Sequence, residues 1–401
     1  MLALTHAFNA HWTLLIRKIS NTARDYAWGS QTLIPEYFGI PATGGPMAEV
    51  WFGTHIGSPT KIEGTDESLL ELRAGKELPF LLKILAAGQP LSIQAHPNKE
   101  QALAGFAREN AAGVAITDPA RDYKDNHHKP EMIVALTPFT ALVGFRPRVD
   151  VVVSFQRLAM LAQQLELHEL EDALAQWILA IRHDGLSGLF RDLLEARGNL
   201  DMVTGQLSTL AGLSGGVDNI ESANLKLVPQ LQELYPGDPG IIISQLLNVI
   251  ELQPMEATEL GAGNVHAYIA GLGVEVMANS DNVLRGGLTP KHINTDELIA
   301  VADFDAPSQL SFTAQKLAEG LFKYPSVAED YLLYRVEVSG SQLLADIQLP
   351  NAAIVLCTAG EIAIGDSKDE REVLRKGEAA YLDEARFYSF TGSGTAFLAT
   401  S

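Results

Sequence analysis

The chain has 401 residues, 47% of them hydrophobic and 19% charged, an ordinary globular composition with room for roughly two to three domains. Its 29 Lys and Arg against 49 Asp and Glu give a formal net charge of -20, a field that repels polyanions and argues against a nucleic-acid partner. No apolar run reaches the roughly 20 residues a bilayer span needs. The opening MLALTHAFNAHWTLLIRK lacks the basic start of a secretory signal, and the single Cys357 excludes an intrachain disulfide. These features predict a cytoplasmic protein that engages no membrane.

In chain order, the region to residue 150 reads as mixed sheet, with Gly and Pro punctuating Gly39 to Pro59. PFLLKILAAG is apolar but too short for periodicity to classify. LSIQAH alternates as a strand does, so Ser92, Gln94 and His96 share one side. Pro97 ends that strand, and Asn98 with Gln101 forms the signature of a capping box opening a helix through Phe106. MIVALTPFTALVGFR predicts two strands separated near Pro138. From 151 the pattern changes: Leu158, Leu161, Ala162 and Leu165 recur at helical spacing, and ELEDALAQWILAIR, SGLFRDLLEAR and NLKLVPQLQELY continue it. Tyr235-Pro236-Gly237 is a turn signal.

Short strand-like runs return from Ile241, beginning with IIISQLLNVIEL and VHAYIAGLGVEVMA. They continue through LLYRVEVS, AAIVLC, EIAIG, EREVLRKGEAAYL and FYSFTGSGTAFLAT. Many short strands with glycine turns predict a sandwich or barrel. The expected fold is therefore mainly β with a helical insertion. Its divisions are a catalytic sheet domain over 1–150 and 241–310, a helical domain over 151–240, and a smaller sheet domain over 311–401.

Three stretches concentrate metal-binding and charged side chains. Gln94 and His96 offer an amide oxygen and an imidazole from one strand face. Asn126-His127-His128-Lys129-Pro130-Glu131 leads into an apolar strand and puts a carboxylate at its mouth. His266 and Tyr268 share a strand face, followed by Glu275 and by Arg285 and Lys291 around Gly286-Gly287. Cations flanking a glycine pair make a phosphate clamp, which a protein of this net charge must build from particular residues. His96, His266 and Glu131, with Gln94 as a neutral fourth ligand, would hold a divalent cation. These residues alone predict a metalloenzyme acting on a phosphate-bearing substrate.

The segments DYAWGS (25–30), PLSIQAHPNK (90–99), HKPE (128–131), HAY (266–268) and EVMANSDNVLRGGLTPK (275–291) closely resemble the type I phosphomannose isomerase family. The resemblance implies cupin-like β-sandwich or barrel domains around a helical domain. It implies one Zn2+ per chain on Gln94, His96, Glu131 and His266, and interconversion of mannose 6-phosphate and fructose 6-phosphate. It makes Arg285 catalytic and puts Lys129, Glu275 and Lys291 around the active site. Lys83 matches a lysine that faces the substrate phosphate, and Trp28 lies in a segment lining the pocket. Two positions depart from the family pattern: His127 stands where asparagine is usual, and Val265 where proline is.

Isomerisation also needs a base, for which Lys129, Glu275 and a water held by the metal are candidates. Histidine is a residue type suited to proton transfer, which makes His128 the candidate for opening the sugar ring, and Tyr268 is expected to shape the pocket wall. The competing readings are a cupin-type sugar-binding protein without activity and a metal-dependent oxygenase, the latter disfavoured by Gln94 as a fourth ligand. The sequence leaves oligomeric state open, a monomer being compatible with a site drawn from one chain.

Overall fold

The computed structural model describes residues 16–401 apart from 197–199, 214–222, 306, 308, 341–343, 367–369 and 384–385. The first fifteen residues, on which most of the signal-peptide reading fell, lie outside the described residues. The chain divides into two compact units, one of Ala23–Glu49 with Ile84–Thr313 and one of Met1–Thr22, Val50–Lys83 and Ala314–Ser401.

In the first unit, neighbouring strands run in the order Leu284–Gly287, Ile93–Ala95, His266–Ala278, Glu131–Ala135, Glu256–Leu260, Phe312–Thr313. They belong to a ten-stranded sheet in which Phe139–Phe145 also pairs with His266–Ala278. The helical insertion leaves the sheet after Phe139–Phe145 and returns into Leu247–Leu252. Those two strands pair antiparallel, Phe139 opposite Leu252 and Phe145 opposite Leu247. The chain therefore re-enters beside its point of departure, which is how residues before and after the insertion reach one site.

The insertion comprises Arg148–Gln164, His168–Glu195, Asp201–Leu213 and Ala223–Leu234, with Gly185 at φ 77° kinking the second and Pro229 inside the fourth. Helix Arg148–Gln164 turns Val151, Phe155, Leu158 and Ala162 inward, the spacing of one helix face. Each large apolar side chain so buried contributes about 1.5–3 kcal/mol. These helices share one core with Ile93, Ala95, Val265, Ala267 and Ile269 of the sheet. Strand alternation then assigns the intervening Gln94, His266 and Tyr268 to the other face. The helices thus cover the apolar side of the strands that carry the polar residues.

In the other unit a second ten-stranded sheet runs Gln315–Ala318, Leu321–Lys323, Leu332–Val338, Arg386–Thr400, Ala353–Asp366, Ala379–Leu382, Ile16–Ser20, Lys61–Ile62. Ile16 lies opposite Leu382 and Ile19 opposite Ala379, so the first described strand joins the sheet of the C-terminal strands. AAIVLC and EIAIG, expected as separate runs, form one strand, Ala353–Asp366. A register shift between Cys357 and Ala359, followed by Gly360 at φ 66°, stands where a turn was expected. IIIS is likewise not strand: Gly240–Ile243 is a short helix after Pro239. Asp238 Oδ1 accepts the N–H of Gly240 at 2.7 Å and that of Leu288 at 2.7 Å, and a fixed proline φ suits a helix start. The fold is mainly β with a helical insertion, as the sequence pattern implied.

Candidate metal centre

Three adjacent strands set the first residues of the site by register alone. Gln94 lies opposite Arg285 on one side and opposite His266 on the other, and directly paired residues share a sheet face. The conformation that brings Glu275 to the same face is less obvious. Seven positions separate it from Tyr268, an odd number that regular alternation would place on opposite faces. A register shift between Tyr268 and Ala270 inserts an extra residue and reverses the parity. Tyr268 OH then donates to Glu275 Oε1 at 2.9 Å, both side chains being buried.

His96, Glu131 and His266 offer ligand atoms that all lie within 4.8 Å of one another, and all three are buried. Each imidazole is fixed from behind. His96 Nδ1 is 2.7 Å from the Asn282 carbonyl and His266 Nδ1 is 2.9 Å from the Asn264 carbonyl. A carbonyl can only accept, so Nδ1 carries the proton and Nε2 presents a lone pair. Those Nε2 atoms lie 3.4 and 3.5 Å from Glu131 Oε2. His96 Nε2 and Glu131 Oε2 are buried and have no hydrogen-bond partner. Electron-pair donors gathered with no hydrogen between them require a cation, and two imidazoles with a carboxylate suit a divalent transition metal.

The electrostatics agree with neutral histidine and ionised glutamate. Burial, reinforced by the nearby Lys129 charge, pushes the His96 pKa down to about 4. Burial alone would raise the Glu131 pKa, but Lys129 and the imidazoles outweigh it and hold the carboxyl well below its usual range. Lys129 Nζ sits 2.7 Å from Glu131 Oε1, leaving Oε2 for the cluster. Gln94 Nε2 is 3.3 Å from His266 Nε2, so its amide borders the same space.

Arg285, paired in register with Gln94, and Lys291 supply two neighbouring cations. Among the described residues the Arg285 guanidinium makes no hydrogen bond or ion pair. Burial lowers its pKa, with the Asp122 charge opposing. Burial also lowers the Lys291 pKa, and repulsion from Arg285 adds to it. A half-buried guanidinium near a second cation, the exposed Lys291, is a ready anion site.

The other residues singled out in the sequence have these surroundings. His128 is half-buried and His127 exposed. Trp28 is half-buried, stacks on Tyr26 at 5.8 Å, and packs against the cluster containing Tyr268. Lys83 is buried on Phe80–Ala87, its ammonium 5.2 Å from the centre of the Trp51 ring. The sequence pattern assigns no role to Asn282, inside EVMANSDNVLRGGLTPK, or to Asp122; only their tertiary partners distinguish them.

Comparison with known proteins gives a consistent result. Residues 16–148 match the model of the type I phosphomannose isomerase catalytic domain. The mannose-6-phosphate isomerase of Escherichia coli is 35% identical over 386 residues, 92% of this chain and 94% of that protein. That of Salmonella typhimurium is 36% identical over 405 residues, covering 96% and 98%. A crystal structure of mannose 6-phosphate isomerase bound with zinc and yttrium superposes with a TM-score of 0.85 at 35% identity, covering 97% of this chain and all of that one. With matches of this identity running nearly end to end, the chain belongs to the type I mannose-6-phosphate isomerase family.

Proposed function

We propose that this protein is a zinc-dependent aldose–ketose isomerase that interconverts mannose 6-phosphate and fructose 6-phosphate through an enediol-type intermediate. The observation that carries the reading is the buried His96–Glu131–His266 cluster, whose facing lone pairs lack a hydrogen between them. One Zn2+ per chain fits that donor set, and the Gln94 amide, turned to present its oxygen, would complete it. Lewis-acid polarisation of the sugar's carbonyl oxygen is what bound zinc supplies.

The remaining work falls to side chains. A proton must leave C2 of the open-chain aldose and arrive at C1, while negative charge gathers on the intervening oxygens. Arg285 stabilises that charge, since its half-buried guanidinium makes no ion pair among the described residues, although the Asp122 charge acts on it. Of the two side chains suited to moving the proton, Lys129 is committed as an ammonium to Glu131. Glu275, a carboxylate steadied by Tyr268 OH, is therefore the better base. His128 assists ring opening, Lys83 and Lys291 hold the phosphate, and Trp28 with Tyr268 shapes the wall. The sequence division stands here as a functional proposal, 1–150 with 241–310 carrying the chemistry, 151–240 supporting it and 311–401 a smaller sheet domain, with the difference that Met1–Thr22 and Val50–Lys83 group with Ala314–Ser401. Among the described residues no helix is long and apolar enough to cross a membrane. That and the single buried thiol support a cytoplasmic enzyme acting on a small sugar phosphate.

The choice of mannose follows the relatives' activity. Purified zinc-loaded protein given mannose 6-phosphate, glucose 6-phosphate and free mannose should form ketose rapidly from the first alone. Turnover of none, with zinc bound, would leave the sugar-binding reading instead.

A further inference from the structure

Asn282 is wholly buried, and its carboxamide is saturated. Oδ1 accepts the backbone N–H groups of Lys124 at 2.7 Å and Asp125 at 3.2 Å. Nδ2 donates to the carbonyls of Asp125 at 2.9 Å and His127 at 2.8 Å, and to Asp125 Oδ1 at 3.2 Å. With N–H groups on one side and carbonyls on the other, only one orientation of the amide is compatible with its partners. Ser280 Oγ and the Asp281 N–H donate to the two oxygens of the Asp125 carboxylate at 2.8 and 2.7 Å. The main-chain carbonyl of Asn282 takes the His96 Nδ1 proton at 2.7 Å.

We propose that Asn282 is a positioning residue for the metal centre, its amide fixing the 124–127 loop that leads into Lys129 and Glu131 while its carbonyl fixes the His96 ring. One residue thereby ties together two ligands that are distant in sequence, and the inference rests on the metal-centre reading above. The amide's function does not tolerate an acid, although the main-chain carbonyl survives the change. Aspartate fits the space but has no donors, so a carboxylate would face the Asp125 and His127 carbonyls and the Asp125 side chain. The loop must then move, and the groups behind metal ligands govern affinity through orientation.

The test is zinc retention by the full-length, zinc-loaded chain against a competing chromophoric chelator. Retention by the parent examines the metal-centre reading itself; a parent that holds no zinc overturns that reading and this proposal together. With the parent binding, Asn282→Asp should weaken zinc affinity roughly 10- to 100-fold. The cobalt-substituted variant should show a displaced visible absorption band. Asn224→Asp is the control for general destabilisation. Its amide donates to the Ser244 carbonyl at 2.6 Å and the Leu247 carbonyl at 2.7 Å, and it should leave zinc affinity within about twofold of the parent while lowering stability by a comparable amount. Should Asn282→Asp fail to fold, Ser280→Ala keeps the amide but removes the hydroxyl bridging Asp125 and His127, and should weaken zinc about three- to tenfold. Unchanged affinity in whichever of the two variants folds, or an equal loss in Asn224→Asp, overturns the proposal.

Discussion

Both sheets contain a long strand with a register shift in its first half, His266–Ala278 and Ala353–Asp366, and the pair makes an instructive contrast. In Ala353–Asp366 the shift at Cys357 and Ala359 moves the inward positions from Ala353, Val355 and Cys357 to Ile362 and Ile364, and all five join one apolar core. In His266–Ala278 the shift after Tyr268 does the same geometric work, but the residues gathered on one side are His266, Tyr268 and Glu275. From Ala314 onward, tyrosines aside, the buried polar side chains among the described residues are Thr358 and Thr400. The site sheet and its loops bury His96, Lys129, Glu131, His266, Glu275 and Asn282. The backbone device is shared; only the side chains placed on it distinguish a body built for stability from one that holds ions.

The contrast is tested most severely by His266→Ala, which should abolish bound zinc and lower kcat/KM by roughly a thousandfold or more. Metal analysis and steady-state kinetics on the same sample check it. Retained zinc with full activity would make the polar face incidental. Arg285→Ala comes next. Because its contact strengthens as charge develops, kcat should fall by about 10^2–10^3 with KM changing less; a pure KM effect would return Arg285 to ground-state binding.

Metal-free protein sharpens the comparison by pH. The unfolded chain protonates His96 near 6.5, whereas the folded chain resists until about 4. The unfolded state therefore binds the proton first, and stability falls as pH drops through that window. The contribution is on the order of 3 kcal/mol. Urea titrations of the metal-free chain from pH 7 to 4 should show the slope, and zinc should reduce it. No histidine follows His292 in the sequence, so the strands from Ala314 onward add nothing through this residue type. The smallest effect belongs to the apolar counterpart. Ile364→Val should cost about 0.5–1.5 kcal/mol of unfolding free energy and leave zinc stoichiometry as it was. Loss of zinc there would mean that the two bodies are not separable in this sense.

Much of the site was legible because strand alternation is a local code. Gln94 and His96, or His266 and Tyr268, announce a shared face two residues apart. The helical insertion was legible from periodicity, and the need for the chain to return from ligands on both sides of it. What escaped detection depends on distant pairing. Nothing in IRKIS says that its partner is AAYL near the other end of the chain. The bulge that turns Glu275 is invisible because Ile269 is an ordinary strand residue. Asn282 escaped because its partners are backbone groups of a loop about 155 positions earlier. The helical turn at Gly240–Ile243 misread as strand because three consecutive isoleucines favour β structure, while Pro239 and the Asp238 side chain decide otherwise.

The bulge after Tyr268 also constrains how this strand can change over generations. Losing the extra residue would return Glu275 to the opposite face without altering any side chain. Gaining one more between Tyr268 and Glu275 would do the same. A gain or loss of two would preserve the faces but shift the strand along its neighbours. His266–Ala278 therefore encodes its spacing as strictly as its residue identities. Relatives able to keep this chemistry should vary in what stands between Tyr268 and Glu275 far more readily than in how many residues stand there.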